Sequence, residues 1–177
     1  MIEISYQDQP WPVRDDVVTA QRRAWDRLAQ AGTWLTGAER IAIATETRNA
    51  PACKLCQARK AALSPHAVEG SHDHTGQLSG LEVEQIHRIR TDPGRLSRSW
   101  YQGLCTGGMV EERYVETVGV IATIVAIDTF TKGLGIAPWP LPAPVPGAPS
   151  RHRPVAAKRA LAWVATLPPE DAVGTPD

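Results

Sequence analysis

TGAERIAIATETRNAPACKLCQARKAAL, residues 36–63, is the stretch on which the reading of the fold turns. Thr36 and Glu39 have the spacing of a capping box, in which each side chain satisfies the other residue's backbone N–H. They open a helix with Ile41 and Ile43 among its buried residues, and Asn49-Ala50-Pro51 breaks it. Pro51 suits the first turn of a helix, so the next helix is predicted to begin there and to carry Cys53 and Cys56 near its N-terminus. Two cysteines three positions apart on one turn can close a disulfide without unfolding anything. The helix dipole at that end favours the thiolate, the reactive form.

Glu39 and Glu46 stand seven residues apart, so on a continuous helix their directions differ by only about 20°. Both are expected on the side that the helix delivers to the cysteine turn, where a carboxylate can accept or relay the proton a thiol loses. The plainer reading is that Glu39 only caps its helix and that Glu46 pairs with Arg48, Arg59 or a more distant arginine.

Outward from this stretch the chain reads as helices. Residues 1–13 are an extended lead-in, with Pro10 and Pro12 blocking a helix. A helix is predicted over 15–31 on the stripe Val17, Val18, Ala24, Trp25 and Leu28, stopped by Gly32. Residues 64–78 read as a loop holding His66, His72 and His74. Ser79 and Glu82 form a second capping box, opening a helix through Val83, Ile86 and Ile89 to Arg90. Asp92-Pro93 predicts another short helix running to about Leu104. Gly107-Gly108 separates it from the longest helix, about 110–132, on which Tyr114, Val118, Ile121, Val125 and Asp128 recur at helical spacing. Most of that helix is expected to be buried. No strand is predicted; the fold class is all-α.

Ten of the fifteen prolines fall between Pro138 and Pro176, beginning PWPLPAPVPGAP. Such a run is stiff and extended, yet it carries Trp139, Leu141 and Trp163. The expected division is a helical domain over 1–135 and a Pro-rich arm over 136–177 that packs on the body or on a neighbouring subunit, with a docked helix over 154–167.

The 177 residues, 42% apolar and 21% charged, suit a globular chain with a real core. Nineteen basic and nineteen acidic residues cancel, so no nucleic-acid partner is expected. The apolar run 115–130 contains Glu116 and Asp128 and is short for a membrane span. MIEISYQDQPWP shows no signal-peptide pattern, and three cysteines do not suit a disulfide-stapled secreted scaffold. A cytoplasmic protein with a working cysteine pair is expected; Cys105 is read as a buried small apolar residue.

A glutamate, an apolar helix and then C-x-x-C opening the next helix resembles the alkylhydroperoxidase D / carboxymuconolactone decarboxylase-like superfamily, and within it the alkylhydroperoxidase-related proteins. His87-Arg88-Ile89-Arg90, Asp92-Pro93-Gly94-Arg95-Leu96, Tyr114-Val115-Glu116 and Pro140-Leu141-Pro142 carry the likeness further, over about residues 15–150. The resemblance implies a helical fold assembled as a trimer or hexamer, and thiol-dependent reduction of hydroperoxides with no cofactor or metal. It implies that Cys56 attacks peroxide and Cys53 resolves it, and that a dihydrolipoyl or thioredoxin-like dithiol protein is the electron donor. Neither Glu39 nor Glu46 reproduces the family's glutamate spacing. Lys60 stands where the peroxidase members carry the relay histidine, one turn after Cys56. His87, on a predicted helix, is the expected replacement, against the plainer reading of a hydrogen-bonded or surface histidine. Lys60 is left to stabilise a thiolate by its charge.

Two other readings stand beside this one. Cys53 and Cys56 with two of His66, His72 and His74 would make a tetrahedral zinc site, although those histidines lack the usual spacing. A carboxymuconolactone decarboxylase-like enzyme is the second, in which the dithiol has no part.

Overall fold

A computed structural model describes residues 4–168 of the chain, and among them six α-helices and no strand. They are α1 (Asp15–Ala29), α2 (Gly37–Asn49), α3 (Lys54–Ala61), α4 (Gly80–Thr91), α5 (Arg98–Thr106) and α6 (Glu111–Gly133). Both predicted capping boxes form: Thr36 opens α2 with Glu39, and Ser79 opens α4 with Glu82. Each box satisfies two backbone donors that the first turn of a helix leaves without partners.

α6 is the axis of the molecule, packing against α2, α4 and α1, while α3 lies on α4. The main core joins Trp25 and Leu28 of α1, Ile43 and Ala44 of α2, Ile86 of α4, and Val120, Ile121, Ile124 and Ile127 of α6. Ile4 and Tyr6 of the lead-in complete it. Polar clamps cross the same seams. Arg48 of α2 makes a bidentate pair with Asp128 of α6 at 2.7 and 2.9 Å, and Arg113 of α6 grips Glu39 and Glu82. α6 is long and apolar enough to cross a membrane by length and composition alone; here its Asp128 and Arg113 pair with α2 and α4 and its buried face is the core.

Several expectations need correction. The buried stripe of α6 is Tyr114, Thr117, Val120, Ile121, Ile124, Ile127 and Thr131, so Val118, Val125 and Asp128 sit at its margin. Less than half of α6 is buried. The helix expected from Asp92 to Leu104 is two pieces. Asp92 leads only a 3-10 turn, Pro93–Arg95, and Ser97 caps α5 by accepting from the Trp100 N–H. The turn has a use of its own, since Arg95 donates to the Ala62 and Arg59 carbonyls and so caps the C-terminus of α3. Cys105 is half-buried rather than buried.

Beyond Gly135 the described residues carry no helix. The Val145 N–H donates to the Ala29 carbonyl at 2.8 Å, the Arg151 N–H to Thr33 at 2.8 Å, and Trp25 Nε1 to the Pro140 carbonyl at 3.1 Å. Trp139 and Leu141 thereby meet the main core, and Trp163 meets Tyr101. The helix expected over 154–167 does not form. Its backbone is spent elsewhere, in the isolated bridge Lys158–Thr166 and in a bond from the Ala165 N–H to Glu111. Residues 1–3 of the lead-in and 169–177 of the expected arm lie outside the described residues.

Candidate functional site

Pro51 lies in a 3-10 turn, Ala50–Ala52, that carries the chain out of α2 and into α3. Cys53 is therefore the N-cap of α3 and Cys56 lies in its first turn. Both sulfurs sit where the helix dipole favours negative charge. The two residues are buried with Leu55, under Val68.

α2 and α4 bring a glutamate and a histidine to this turn. His87 of α4 is fully buried, with Nδ1 3.2 Å from Cys56 Sγ and Nε2 2.8 Å from Glu46 Oε1. Burial favours the neutral form of Glu46, but bonds from Thr75, His87 and Asn49 outweigh it and hold the carboxyl at about 2. An ionised carboxylate only accepts, so Nε2 of His87 carries the proton and Nδ1 is left to accept from Cys56. Burial lowers the pKa of His87, and His72 nearby lowers it further against the pull of Glu46, which keeps this imidazole neutral. Cys56, His87 and Glu46 form a continuous proton path.

The loop between α3 and α4 supplies a second histidine. Nδ1 of His72 is 3.5 Å from Cys53 Sγ and 3.4 Å from Cys56 Sγ, and its Nε2 is 2.8 Å from Glu84 Oε2. Glu84 is held in turn by Arg59 and by the Trp100 indole, each at 3.0 Å. Burial opposes charge on both partners. It is outweighed by these bonds, which lower Glu84 to about 2, while the bonds to Cys56, Glu84 and Cys53 raise His72 to about 10. His72 is an imidazolium beside two sulfurs. Burial raises the Cys53 thiol, but the Cys56 N–H, His72 and the Asp73 N–H together bring it below its ordinary value.

The loop is tied down at three successive points. His72 meets the sulfurs, the Asp73 carboxylate accepts from the Lys54 N–H at the start of α3, and Thr75 donates twice to Glu46. The Sγ atoms of Cys53 and Cys56 and one ring nitrogen of each of His72 and His87 all lie within 4.8 Å of one another.

Of the residues expected here, Cys53, Cys56, Glu46 and His87 come together. Glu39 bonds Thr36 and Arg113 instead. It shares the direction of Glu46 on α2, but seven residues at 1.5 Å each put it about 10 Å farther along the axis. Glu46 pairs with no arginine of those expected; Arg48 goes to Asp128 and Arg59 to Glu84. Lys60 is exposed, and the positive charge beside the sulfurs belongs to His72. Of the loop histidines only His72 reaches the cysteines. His66 is exposed, and His74 accepts from the Gly76 N–H. Glu84, Asp73 and Thr75 carried no signal in sequence, since each acts on a group 19 to 29 positions away or through His72.

No family model, curated protein or solved structure matches this chain.

Proposed function

We propose that this chain is a thiol-dependent peroxidase of the alkylhydroperoxidase-like type, reducing hydroperoxides through a Cys53–Cys56 dithiol–disulfide cycle. The observation that carries the reading is the path Cys56 Sγ, His87 and Glu46, with contacts of 3.2 and 2.8 Å and a second thiol at Cys53. A neutral histidine backed by a carboxylate is what a thiol needs in order to lose its proton on demand.

The cycle runs as follows. His87 takes the Cys56 proton, and Glu46 stabilises the imidazolium formed. The Cys56 thiolate attacks the terminal oxygen of the hydroperoxide. The O–O bond breaks, His87 returns its proton to the departing alkoxide, and an alcohol and a Cys56 sulfenic acid remain. The sulfur has lost two electrons to the peroxide. The Cys53 thiolate, stabilised by His72 and two backbone N–H groups, attacks the sulfenic sulfur and expels water, with His72 as the nearest proton donor. A donor dithiol then attacks the disulfide at Cys56. Cys53 departs as the better leaving group because its pKa is lowered, and the donor becomes the disulfide.

A dihydrolipoyl or thioredoxin-like protein is the class of donor this cycle requires, in a reducing compartment such as the cytoplasm. A homo-oligomer, trimer or hexamer, is the assembly the alkylhydroperoxidase-like type implies. The test is consumption of an alkyl hydroperoxide by metal-free reduced protein with a dithiol donor. Turnover is expected in wild type and in Cys105→Ser, and its loss in Cys56→Ser. No turnover with any dithiol donor would remove the reading.

A further inference from the structure

We propose that the reduced site is also a zinc(II) site, with Cys53 Sγ, Cys56 Sγ, His72 Nδ1 and His87 Nδ1 as its four ligands. The ligand atoms are chosen by what surrounds them. Nε2 of each histidine is already taken by a carboxylate at 2.8 Å, Glu84 for His72 and Glu46 for His87. Both Nδ1 atoms therefore face the sulfurs. A carboxylate on the outer nitrogen of a ligating imidazole fixes its tautomer and raises its basicity, the usual support for a zinc histidine.

The distances fit a tetrahedron. Zinc–sulfur bonds of about 2.3 Å and zinc–nitrogen bonds of about 2.0–2.1 Å set sulfur and nitrogen about 3.5 Å apart. Three of the four S···N separations here are 3.5, 3.4 and 3.2 Å, and all four ligand atoms lie within 4.8 Å of one another. Hydrogen bonding explains the cluster less completely. Nδ1 of His72 faces two sulfurs, at 3.5 and 3.4 Å, and has one N–H to share between them. A cation at the centre satisfies all four donors at once. Two cysteines on one turn, a histidine from a loop and a histidine from α4 make a closed S2N2 set, the type zinc prefers. Binding displaces the thiol protons and the Nδ1 proton of the His72 imidazolium to solvent and changes no oxidation state.

This ligand set differs from one drawn only from His66, His72 and His74, because α4 supplies the fourth donor. The proposal does not rest on the peroxidase reading. Zinc and a Cys53–Cys56 disulfide exclude one another, however, since both use the same two sulfurs.

The experiment uses the full chain, reduced and stripped with a chelator, titrated with cobalt(II) and then with zinc(II). One equivalent of cobalt should give the intense visible bands of tetrahedral coordination together with near-ultraviolet sulfur-to-cobalt charge transfer, and one equivalent of zinc should bleach both. Weak octahedral bands, or equal binding by the disulfide form, would overturn the proposal. His87→Gln and Cys56→Ser should lose the site but can also fail to fold. Glu84→Gln keeps all four ligands and should weaken zinc binding by about 10- to 100-fold with unchanged helical circular dichroism. Unchanged affinity in Glu84→Gln would remove His72 from the set and overturn it too. His66→Gln and His74→Gln should bind as wild type does. Protein that consumes peroxide but binds no zinc refutes this site and leaves the peroxidase reading intact; protein that binds zinc but ignores peroxide does the reverse.

Discussion

Glu46 and His87 are both fully buried and both polar, a combination that folding tolerates only when each has partners. Glu46 has three residues bonding it, and His87 joins it to Cys56. If this path moves the proton, Glu46→Gln and His87→Gln should each slow the reaction of Cys56 with peroxide by about 10²-fold. The rate of sulfenic acid formation, read by intact mass after one equivalent of peroxide, checks this. The same measurement separates the two thiols. Cys53→Ser should gain one oxygen at Cys56, and accumulation at Cys53 in Cys56→Ser would reverse their roles. His72→Asn should slow Cys53 attack on the sulfenic acid, whereas Lys60→Ala should not, because Lys60 is exposed and His72 carries the nearby charge.

The helix junctions depend on close approach and on charge. A Cβ on Gly37, the first residue of α2, would lie 2.1 Å from the Ala29 carbonyl oxygen and 2.9 Å from that of Val145. Both contacts are backbone, so neither can swing away. Gly37→Ala should cost roughly 1–3 kcal/mol, seen as a lower denaturant midpoint at unchanged slope. The α4–α6 seam titrates. Burial would raise Glu82, but Ser79 and Arg113 outweigh it and leave its pKa below the ordinary 4.5. A carboxyl lowered in the folded state adds stability above its unfolded pKa and loses it as pH falls through the folded one. Glu82→Gln should thus be less stable than wild type at pH 7, and the gap should close on acidification below the ordinary carboxylate range. A gap independent of pH in urea melts would sink this account.

At the scale of the molecule, α6 and the C-terminal stretch leave some apolar side chains exposed among the described residues. Val110 and Val115 are 47% and 43% exposed, and Leu161 is 99% exposed. The proposed homo-oligomer would cover this surface with another subunit. Light scattering at micromolar concentration should return a multiple of 19.2 kDa, and a monomer would count against the assembly. An inward Ile43→Ala, at a side chain with no exposure, should instead cost about 2–5 kcal/mol whatever the assembly.

What the sequence determined by itself was local: two capping boxes, the Pro51 break, the cysteine turn at the head of α3, and the helical content of the chain. Those features depend on groups three or four residues apart, so the code for them lies within the stretch that forms them. Even there Ser97 was missed, because Asp92-Pro93 competed as an equally good start and only Arg95 reaching across to α3 showed what that turn is for. Which face of α6 is buried was decided by α1, α2 and α4 together, since its middle, residues 117–127, carries no charge to mark the outer side. The site divides in the same way. Cys53 and Cys56 were legible from their spacing, and Glu46 and His87 as candidates from their place on helices. Joining His87 to Glu46 across 41 residues, and bringing in His72 and Glu84, fell to the packing of α2 against α4 and to the pinned loop. A hydrogen bond between distant residues leaves no periodic trace in the chain, and only the tertiary structure can close it.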